Sequence, residues 1–502
     1  MQLNKLINDS FARFGDNTAL QIENTSYTYK ELQSLTNSLY CAINAALSSI
    51  GDIAKSSDEL SLSNSIAIFC YKSELAYAGI LASILSGITY APLNPKFPST
   101  RTLKMLQSAK SKIIILDENC LQAFKNLAPS IDWCYHIIST ANVISQITHL
   151  YPRFKFYDIA DFISRDFDTN VDFTNPAYLL FTSGSTGEPK GVLIARNSLH
   201  SYIKRILELF DFSSNDRFSQ MFDLTFDLSI HDIFSSLCSG GCLCASKASS
   251  INPISYILKH EISVFFCVPS VISYAAYMHL IKSARALKYI LFCGEALDTE
   301  HIKIAKQISS NSQIFNLYGP TEATVSFTAY EVISQDNISI GTPYDGLEVL
   351  IDESGEILLS GDQLATGYLN DRAKTDEKFI YINDKRYYKT GDLGYYKDGL
   401  LYCAGRIDEQ IKINGFRVEL GEVESALRKT SGVSLCACFS KDNKIYGAIC
   451  ANNINETEIC SRLRETLPAY EIPAKIFCIG QMPLNANGKV DKNKLKELVD
   501  EI

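Results

Sequence analysis

The densest chemistry lies in Leu179-Leu-Phe-Thr182-Ser183-Gly184-Ser185-Thr186-Gly187-Glu188-Pro189-Lys190-Gly191. An apolar, strand-like stretch feeds a loop of hydroxyl residues and glycines that ends on a lysine. Glycines let backbone N–H groups turn inward, hydroxyls add donors and Lys190 adds charge, which together make an anion-binding nest suited to phosphate. The spacing is not the Walker arrangement: Gly184 to Gly187 is too short, and Lys190 is followed by Gly191 rather than Ser or Thr. Kinase and GTPase chemistry is therefore disfavoured. The bland alternative, a Ser/Gly surface turn, does not call for the preceding hydrophobic strand or for this order of Gly, Thr, Pro and Lys.

This loop resembles the phosphate-binding signature of the adenylate-forming superfamily, which includes acyl-CoA synthetases, luciferases and peptide-synthetase adenylation domains. Further stretches similar to that family's motifs follow in order: Tyr27-Thr-Tyr-Lys-Glu-Leu32, Gly87-Ile-Thr-Tyr-Ala-Pro-Leu-Asn-Pro95, Phe226-Asp227-Leu-Ser229, Asn316-Leu-Tyr318-Gly319-Pro320-Thr321-Glu322, Tyr388-Lys-Thr-Gly-Asp392, Gly405-Arg406-Ile-Asp408 and Asn485-Ala-Asn-Gly488-Lys489. The resemblance spans nearly the whole chain. It implies an ATP site formed by Thr182, Ser183, Gly184, Ser185, Thr186, Gly187, Lys190, Asn316, Tyr318, Gly319, Thr321, Asp392, Arg406 and Lys489. Tyr318 offers adenine an aromatic face, Thr321 a donor to phosphate, and Glu322 a hard oxygen ligand for Mg²⁺. Asp392 can accept two bonds from ribose, although Gly-Asp392-Leu-Gly alone would be an ordinary turn. Lys489, Glu322 and Thr186 are the catalytic candidates. By the resemblance, Lys489 bridges the substrate carboxylate and the α-phosphate and stabilises charge developing during in-line attack. Asp408 corresponds to a hinge, and Gly415-Phe416-Arg417-Val-Glu419-Leu-Gly421-Glu422 to the loop that replaces Lys489 for the thioester-forming half-reaction.

Asp227 sets the expected substrate class, because a carboxylate in a largely apolar pocket is costly unless a cation such as an α-ammonium pairs with it. The alternative role is an N-cap for the helix suggested by Ser229-Ile-His-Asp-Ile-Phe234. Family correspondence places Leu228, His231, Phe266, Leu291, Cys293, Leu317 and Val325 around the substrate side chain, which leaves little room. His231 is open to two readings: contact with substrate or pantetheine, or a satisfied wall histidine. Among adenylate-forming enzymes the chain is most like the D-alanine–D-alanyl carrier protein ligases, with Phe292-Cys293-Gly294-Glu295 and Tyr318-Gly-Pro-Thr-Glu-Ala-Thr-Val325. His231, Phe266 and Leu317 are bulkier or more polar than expected of those ligases. Prolyl-carrier-protein ligases are the rival on substrate. The implied partners are an amino acid and a phosphopantetheinylated carrier protein. An acyl-CoA synthetase would share the nucleotide motifs without needing Asp227, and a nucleotide-binding sensor would not need both Glu322 and Lys489.

These residues must be positioned by a substantial scaffold. Apolar β-rich runs such as Ser65-Ile-Ala-Ile-Phe-Cys70, Lys112-Ile-Ile-Ile-Leu116 and Tyr178-Leu-Leu-Phe-Thr182 alternate with helical patterns, which reads as α/β. From about 330 to 405 the texture changes to short strands with Gly/Asp turns, predicting a β-rich subdomain. Residues 408–502 carry their own strand and helix signals, including Val418 to Arg428 and Thr457 to Leu467, and read as a small α+β domain after a large domain over 1–407. At 502 residues the chain exceeds what one core supports, so more than one domain is expected.

Composition excludes several classes. Hydrophobic residues at 46% and charged residues at 21% are ordinary for a folded globular protein. The net charge of −9 argues against nucleic acid or an anionic membrane as partner. The 15 cysteines are scattered singly through apolar runs and read as reduced thiols; Cys242/Cys244 and Cys436/Cys438 lack the neighbours of a structural zinc site. Leu75 to Leu93 is free of charge, but Gly79, Gly87 and Pro92 divide it, so a buried helix running into a short strand is expected rather than membrane insertion. The N-terminal stretch lacks a signal-peptide core, which makes a cytoplasmic location the expectation.

Overall fold

A computed structural model describes residues 2–50, 58–62, 64–132, 136–162, 175–184, 188–246, 252–334, 338–451, 456–483 and 490–500. The alternation of apolar strands and helices becomes an α/β architecture. The chain divides into two units: residues 1–95, 106–180 and 191–407 form the first, and residues 96–105, 181–190 and 408–502 the second.

The first unit is built on three sheets. A nine-stranded sheet has at its centre the parallel strands Gln313–Tyr318, Tyr289–Phe292, Val264–Cys267, Arg217–Gln220 and Cys242–Ala245, with antiparallel pairs at both edges. An eight-stranded sheet contains Ser65–Phe69, Tyr90–Pro92, Ser111–Leu116 and Tyr178–Thr182, and the strand Tyr178–Thr182 leads into the glycine-rich loop. Sheets of this kind are covered on both faces, which is why their strands read as continuous apolar runs. The uncharged stretch from Leu75 resolves into the buried helix Glu74–Leu85, capped by the Ser73 hydroxyl accepting from the Ala76 N–H, followed by Tyr90–Pro92. No described helix is long and apolar enough to cross a membrane. The third sheet is antiparallel and five-stranded, with Glu348–Ile351, Glu356–Ser360, Phe379–Ile382, Lys385–Lys397 and Leu400–Arg406. It is the β-rich subdomain, and its Asn/Asp/Gly turns include Asn383, Asp384, Asp398 and Gly399 at positive φ.

In the second unit a two-stranded ribbon, Gln410–Ile413 with Phe416–Glu419, precedes the helix Leu420–Arg428 and the three-stranded sheet Val433–Lys441, Lys444–Ala451 and Lys475–Cys478. Its core gathers Val418, Val423, Leu427, Ile449, Leu463 and Ile476. The division after Ile407 is visible in local bonding. The Ile407 N–H donates to Gly391 O, whereas the Asp408 carboxylate accepts from the Gln410 N–H at 3.2 Å. The described cysteines are all free thiols; Cys403 and Cys478 are exposed. No group of three or more metal-ligating side chains occurs among the described residues.

Candidate active site

The first unit gathers several of the residues expected to bind the nucleotide where the strand Gln313–Tyr318 ends. Register pairs Asp392 with Arg406 across the β-rich sheet. Their side chains form an ion pair, and Arg406 also donates to Thr390 O at 3.2 Å. The Tyr318 hydroxyl donates to the other Asp392 oxygen at 2.7 Å. Burial, with the Asp392 carboxylate adding, raises the Tyr318 phenol well above its ordinary pKa and so keeps this donor protonated. A carboxylate has about four acceptor positions, so two fixed donors orient Asp392 and leave capacity for hydroxyls of a ligand. Asn316 instead commits its amide to Ser339 O at 2.8 Å, a brace for the segment that follows the strand.

Beyond Tyr318 the chain turns tightly. A side chain at Gly319 would place its Cβ 2.6 Å from the Ser326 Cα, so only glycine admits this approach. The short 3₁₀ turn Thr321–Ala323 carries Glu322, buried, with its carboxylate accepting from the Tyr368 hydroxyl at 2.8 Å. Thr324 and Val325 then adopt φ of 60° and 70°, a costly conformation for β-branched residues. The fully buried Gln363 holds it: its side-chain amide N–H donates to Ser326 O and Ala323 O, and its backbone carbonyl accepts from the Thr324 hydroxyl. Neither Gln363 nor Tyr368 stands out in sequence; each lies far along the chain from its partner and in no motif.

Four of the residues expected to line an amino-acid pocket lie on one face of the nine-stranded sheet. Register sets Phe266 beside Leu291 and Leu291 beside Phe315. Because side chains alternate between faces, Phe266, Leu291, Cys293 and Leu317 share one face while Cys267, Ile290 and Phe292 point the other way. The cores agree: the first set packs with Leu228 and Val325, the second in a separate cluster. Asp227 stands at the N-cap of the helix Leu228–Ser239, yet its side chain makes no capping bond there. It is half-buried at the positive end of a helix dipole. His231 is one turn on, fully buried, its ring 4.4 Å from that of Phe266 and its Nδ1 2.7 Å from the Tyr202 hydroxyl. Burial lowers its pKa to about 3, so the imidazole is neutral and not an acid–base group at ordinary pH. Tyr202 was not legible as a site residue, since nothing in its helix pattern distinguishes it from core.

In the second unit the loop candidates Thr182, Ser183, Gly184 and Lys190 are described, whereas Ser185, Thr186, Gly187 and Lys489 lie outside the described residues. A Cβ on Gly184 would fall 2.0 Å from Glu188 O, so the loop curls too tightly for any side chain there. The loop's donors face anionic partners: Gly184 N–H donates to Glu422 at 2.9 Å, and Lys190 lies 3.7 Å from Glu419. The Ser183 hydroxyl donates to Arg417 O at 2.9 Å. Carboxylates thus sit as acceptors opposite donors that suit phosphate oxygens. Glu422 also pairs with the buried Arg101 at 2.7 Å, and Glu471 lies 3.8 Å from the same guanidinium. Burial, with Glu422 adding to it, pushes the Glu471 carboxyl up to about 8 against the pull of Arg101.

The AMP-binding enzyme family profile matches residues 7–369, and that of the AMP-binding enzyme C-terminal domain matches 422–489. The chain is 30% identical over 460 residues to the D-alanine–D-alanyl carrier protein ligase of Staphylococcus epidermidis, covering 86% of this chain and 89% of that one. It is 31% identical to bacitracin synthase 1 of Bacillus licheniformis, over 99% of this chain but only 9% of that much longer protein. Among solved structures, the Vibrio cholerae adenylation domain AlmE in complex with glycyl-adenosine-5'-phosphate superposes with a TM-score of 0.88 at 28% identity, covering 100% of this chain and 98% of that one. The chain belongs to the AMP-binding enzyme family and is an adenylate-forming, AMP-forming ligase.

Proposed function

We propose that the enzyme activates a small amino acid with ATP, releasing pyrophosphate, and passes the aminoacyl group to the phosphopantetheine thiol of a carrier protein. The observation that carries this reading is Asp227, a half-buried carboxylate that makes no capping bond and directly precedes Leu228, which packs in one core with Phe266, Leu291, Cys293 and Leu317. Its natural counterpart is an α-ammonium, and the close apolar wall favours a short side chain. D-alanine is the small amino acid named by the ligase relatives; L-proline is the alternative.

In this reading Tyr318 stacks on adenine, and Asp392, oriented by Tyr318 and Arg406, accepts the ribose hydroxyls. Thr321, Thr186 and the loop Thr182–Lys190 hold phosphate. Glu322, oriented by Tyr368, would hold a Mg²⁺ together with phosphate oxygens, and the ion would neutralise phosphate charge; one carboxylate plus substrate oxygens is an ordinary set for this ion. Lys489 steadies the attacking carboxylate and the α-phosphate in the first half-reaction. The segment 415–422 serves the second, after movement about Asp408. A carboxylic acid without an α-amino group, as an acyl-CoA synthetase would take, offers Asp227 no ammonium.

The test is amino-acid-dependent pyrophosphate exchange. Asp227→Ala should raise the amino-acid KM by tenfold or more while ATP affinity stays within twofold, because the ammonium loses its partner and the nucleotide does not. Unchanged amino-acid KM would mean that Asp227 does not face the substrate.

A further inference from the structure

The second unit holds a buried charge cluster that no step of the proposed reaction uses. Arg101, in the helix Ser99–Ala109, is 4% exposed and donates from one guanidinium nitrogen to Glu422 at 2.7 Å, while Glu471 lies 3.8 Å from another. Glu422 is buried as well, and its two oxygens are divided: Oε1 takes Arg101, and Oε2 accepts the Gly184 N–H at 2.9 Å. A carboxylate this buried keeps its charge only beside a cation, which a single backbone N–H is not. Glu471 does not compete for the guanidinium. It is fully buried, neither of its oxygens has a hydrogen-bond partner among the described residues, and burial, with the Glu422 charge adding, keeps it largely protonated at neutral pH. The charge on Glu422 therefore depends on Arg101.

What Glu422 holds is the glycine-rich loop. Lys190 lies 3.7 Å from Glu419, the Glu419 N–H donates to the Ser183 hydroxyl at 3.2 Å, and that hydroxyl donates to Arg417 O. The donors of Gly184 and Lys190 thus face carboxylates where phosphate oxygens would accept, and one N–H cannot serve both. Aromatic packing supports the same contact: the Arg101 Cζ lies 5.8 Å over the Phe97 ring, Phe97 meets Tyr470 edge-on, and Tyr470 stacks on Phe416 at 4.1 Å. The cluster is open to small ions, since Arg101 and Glu422 line a cavity of about 270 Å³ together with Lys429 and Arg462.

We propose that Arg101 is a positioning residue for the second half-reaction: by neutralising Glu422 it holds the segment 415–422 on the glycine-rich loop in the place of phosphate, so that this docking and the binding of pyrophosphate exclude each other. The inference rests on the reading that Thr182–Lys190 holds phosphate and that 415–422 serves thiol transfer. Arg101 lies in no motif read from the sequence. Its action lowers the affinity of the loop for phosphate by the fraction of molecules in which the segment is docked.

The experiment measures, on the full chain, calorimetric binding of imidodiphosphate, an unreactive stand-in for pyrophosphate. Two activities accompany it: amino-acid-dependent pyrophosphate exchange, and transfer from pre-formed aminoacyl-AMP to pantetheine. Arg101→Ala should tighten imidodiphosphate binding by about threefold or more, keep exchange within about threefold of wild type and lower transfer by about tenfold or more. Glu422→Ala, which leaves no buried carboxylate without its cation, should tighten binding likewise. The double variant should match Glu422→Ala within about twofold, because Arg101 acts through that carboxylate alone. Guanidinium ion, admitted by the cavity, should weaken binding again in Arg101→Ala and not in Glu422→Ala. A merely structural role would weaken the ligand rather than tighten it. The inference is overturned if neither Arg101→Ala nor Glu422→Ala binds imidodiphosphate more tightly than wild type. It is equally overturned if the double variant departs from Glu422→Ala as far as Arg101→Ala departs from wild type, or if Arg101→Ala loses exchange and transfer in parallel. Amino-acid-dependent exchange by the wild type keeps the adenylation reading in each of these cases. Imidodiphosphate that binds neither wild type nor any variant overturns both the inference and the assignment of the loop to phosphate.

Discussion

Side chains in this site are set by partners as much as by their own chemistry. Asp392 is oriented by Tyr318 on one oxygen and Arg406 on the other. Removing the phenol should loosen the carboxylate without removing it. Tyr318→Phe is expected to cost about 1–1.5 kcal/mol of nucleotide binding, roughly a five- to tenfold rise in ATP KM, with amino-acid KM unchanged. Initial-rate kinetics with each substrate varied will show the split. His231 supplies a pH signature. Its folded pKa of about 3 lies below the ordinary 6.5, so the unfolded chain takes up the proton first. Its contribution to stability is whole above pH 6.5 and is lost as pH falls toward 3. His231→Gln should flatten this part of the acid limb in thermal unfolding between pH 7 and 4.

At the scale of elements, the turn after the strand Gln313–Tyr318 is the costly device. It places Glu322 by forcing Thr324 and Val325 to positive φ, and Gln363 bonds both its start and its end. Gln363→Ala should destabilise the first unit by about 2 kcal/mol, because two buried carbonyls lose their donor, and should lower adenylation by displacing Glu322. Thermal unfolding and pyrophosphate exchange on the same variant report both effects. This is also where legibility in sequence ends. Tyr318, Glu322, Asp392 and Asp227 sit in short stretches whose order along the chain can be read, and the apolar runs announce the parallel strands that carry them. Gln363, Tyr368 and Tyr202 reach the site only through folding, from isolated positions that look like core or turn, so no local spacing marks them. The face shared by Phe266, Leu291, Cys293 and Leu317 likewise depends on strand register, which sequence alternation leaves open across parallel neighbours.

At the scale of the whole molecule, the chain is two units whose bonding changes between Ile407 and Asp408. If Asp408 is the hinge, Asp408→Pro, which fixes φ near −65° and removes a donor, should spare pyrophosphate exchange and depress carrier loading. Parallel loss of both would place the hinge elsewhere. Inside the second unit the buried Glu471 should reveal itself through pH. Its folded pKa of about 8 exceeds its ordinary value of 4.5, so its contribution is most favourable below pH 4.5 and is lost as pH rises to 8. Glu471→Gln should therefore gain in melting temperature over wild type as pH is raised from 5 to 8, with a plateau beyond.

The central claim is that Asp227 makes this adenylate-forming ligase an activator of small amino acids. It is tested most directly by pyrophosphate exchange across glycine, both enantiomers of alanine, serine and proline, and propionate and butyrate as acids of similar size without an amino group. The account predicts exchange with at least one small amino acid, none with either simple acid, and at least a tenfold rise in amino-acid KM in Asp227→Ala. Exchange driven by propionate or butyrate as strongly as by any amino acid would contradict it.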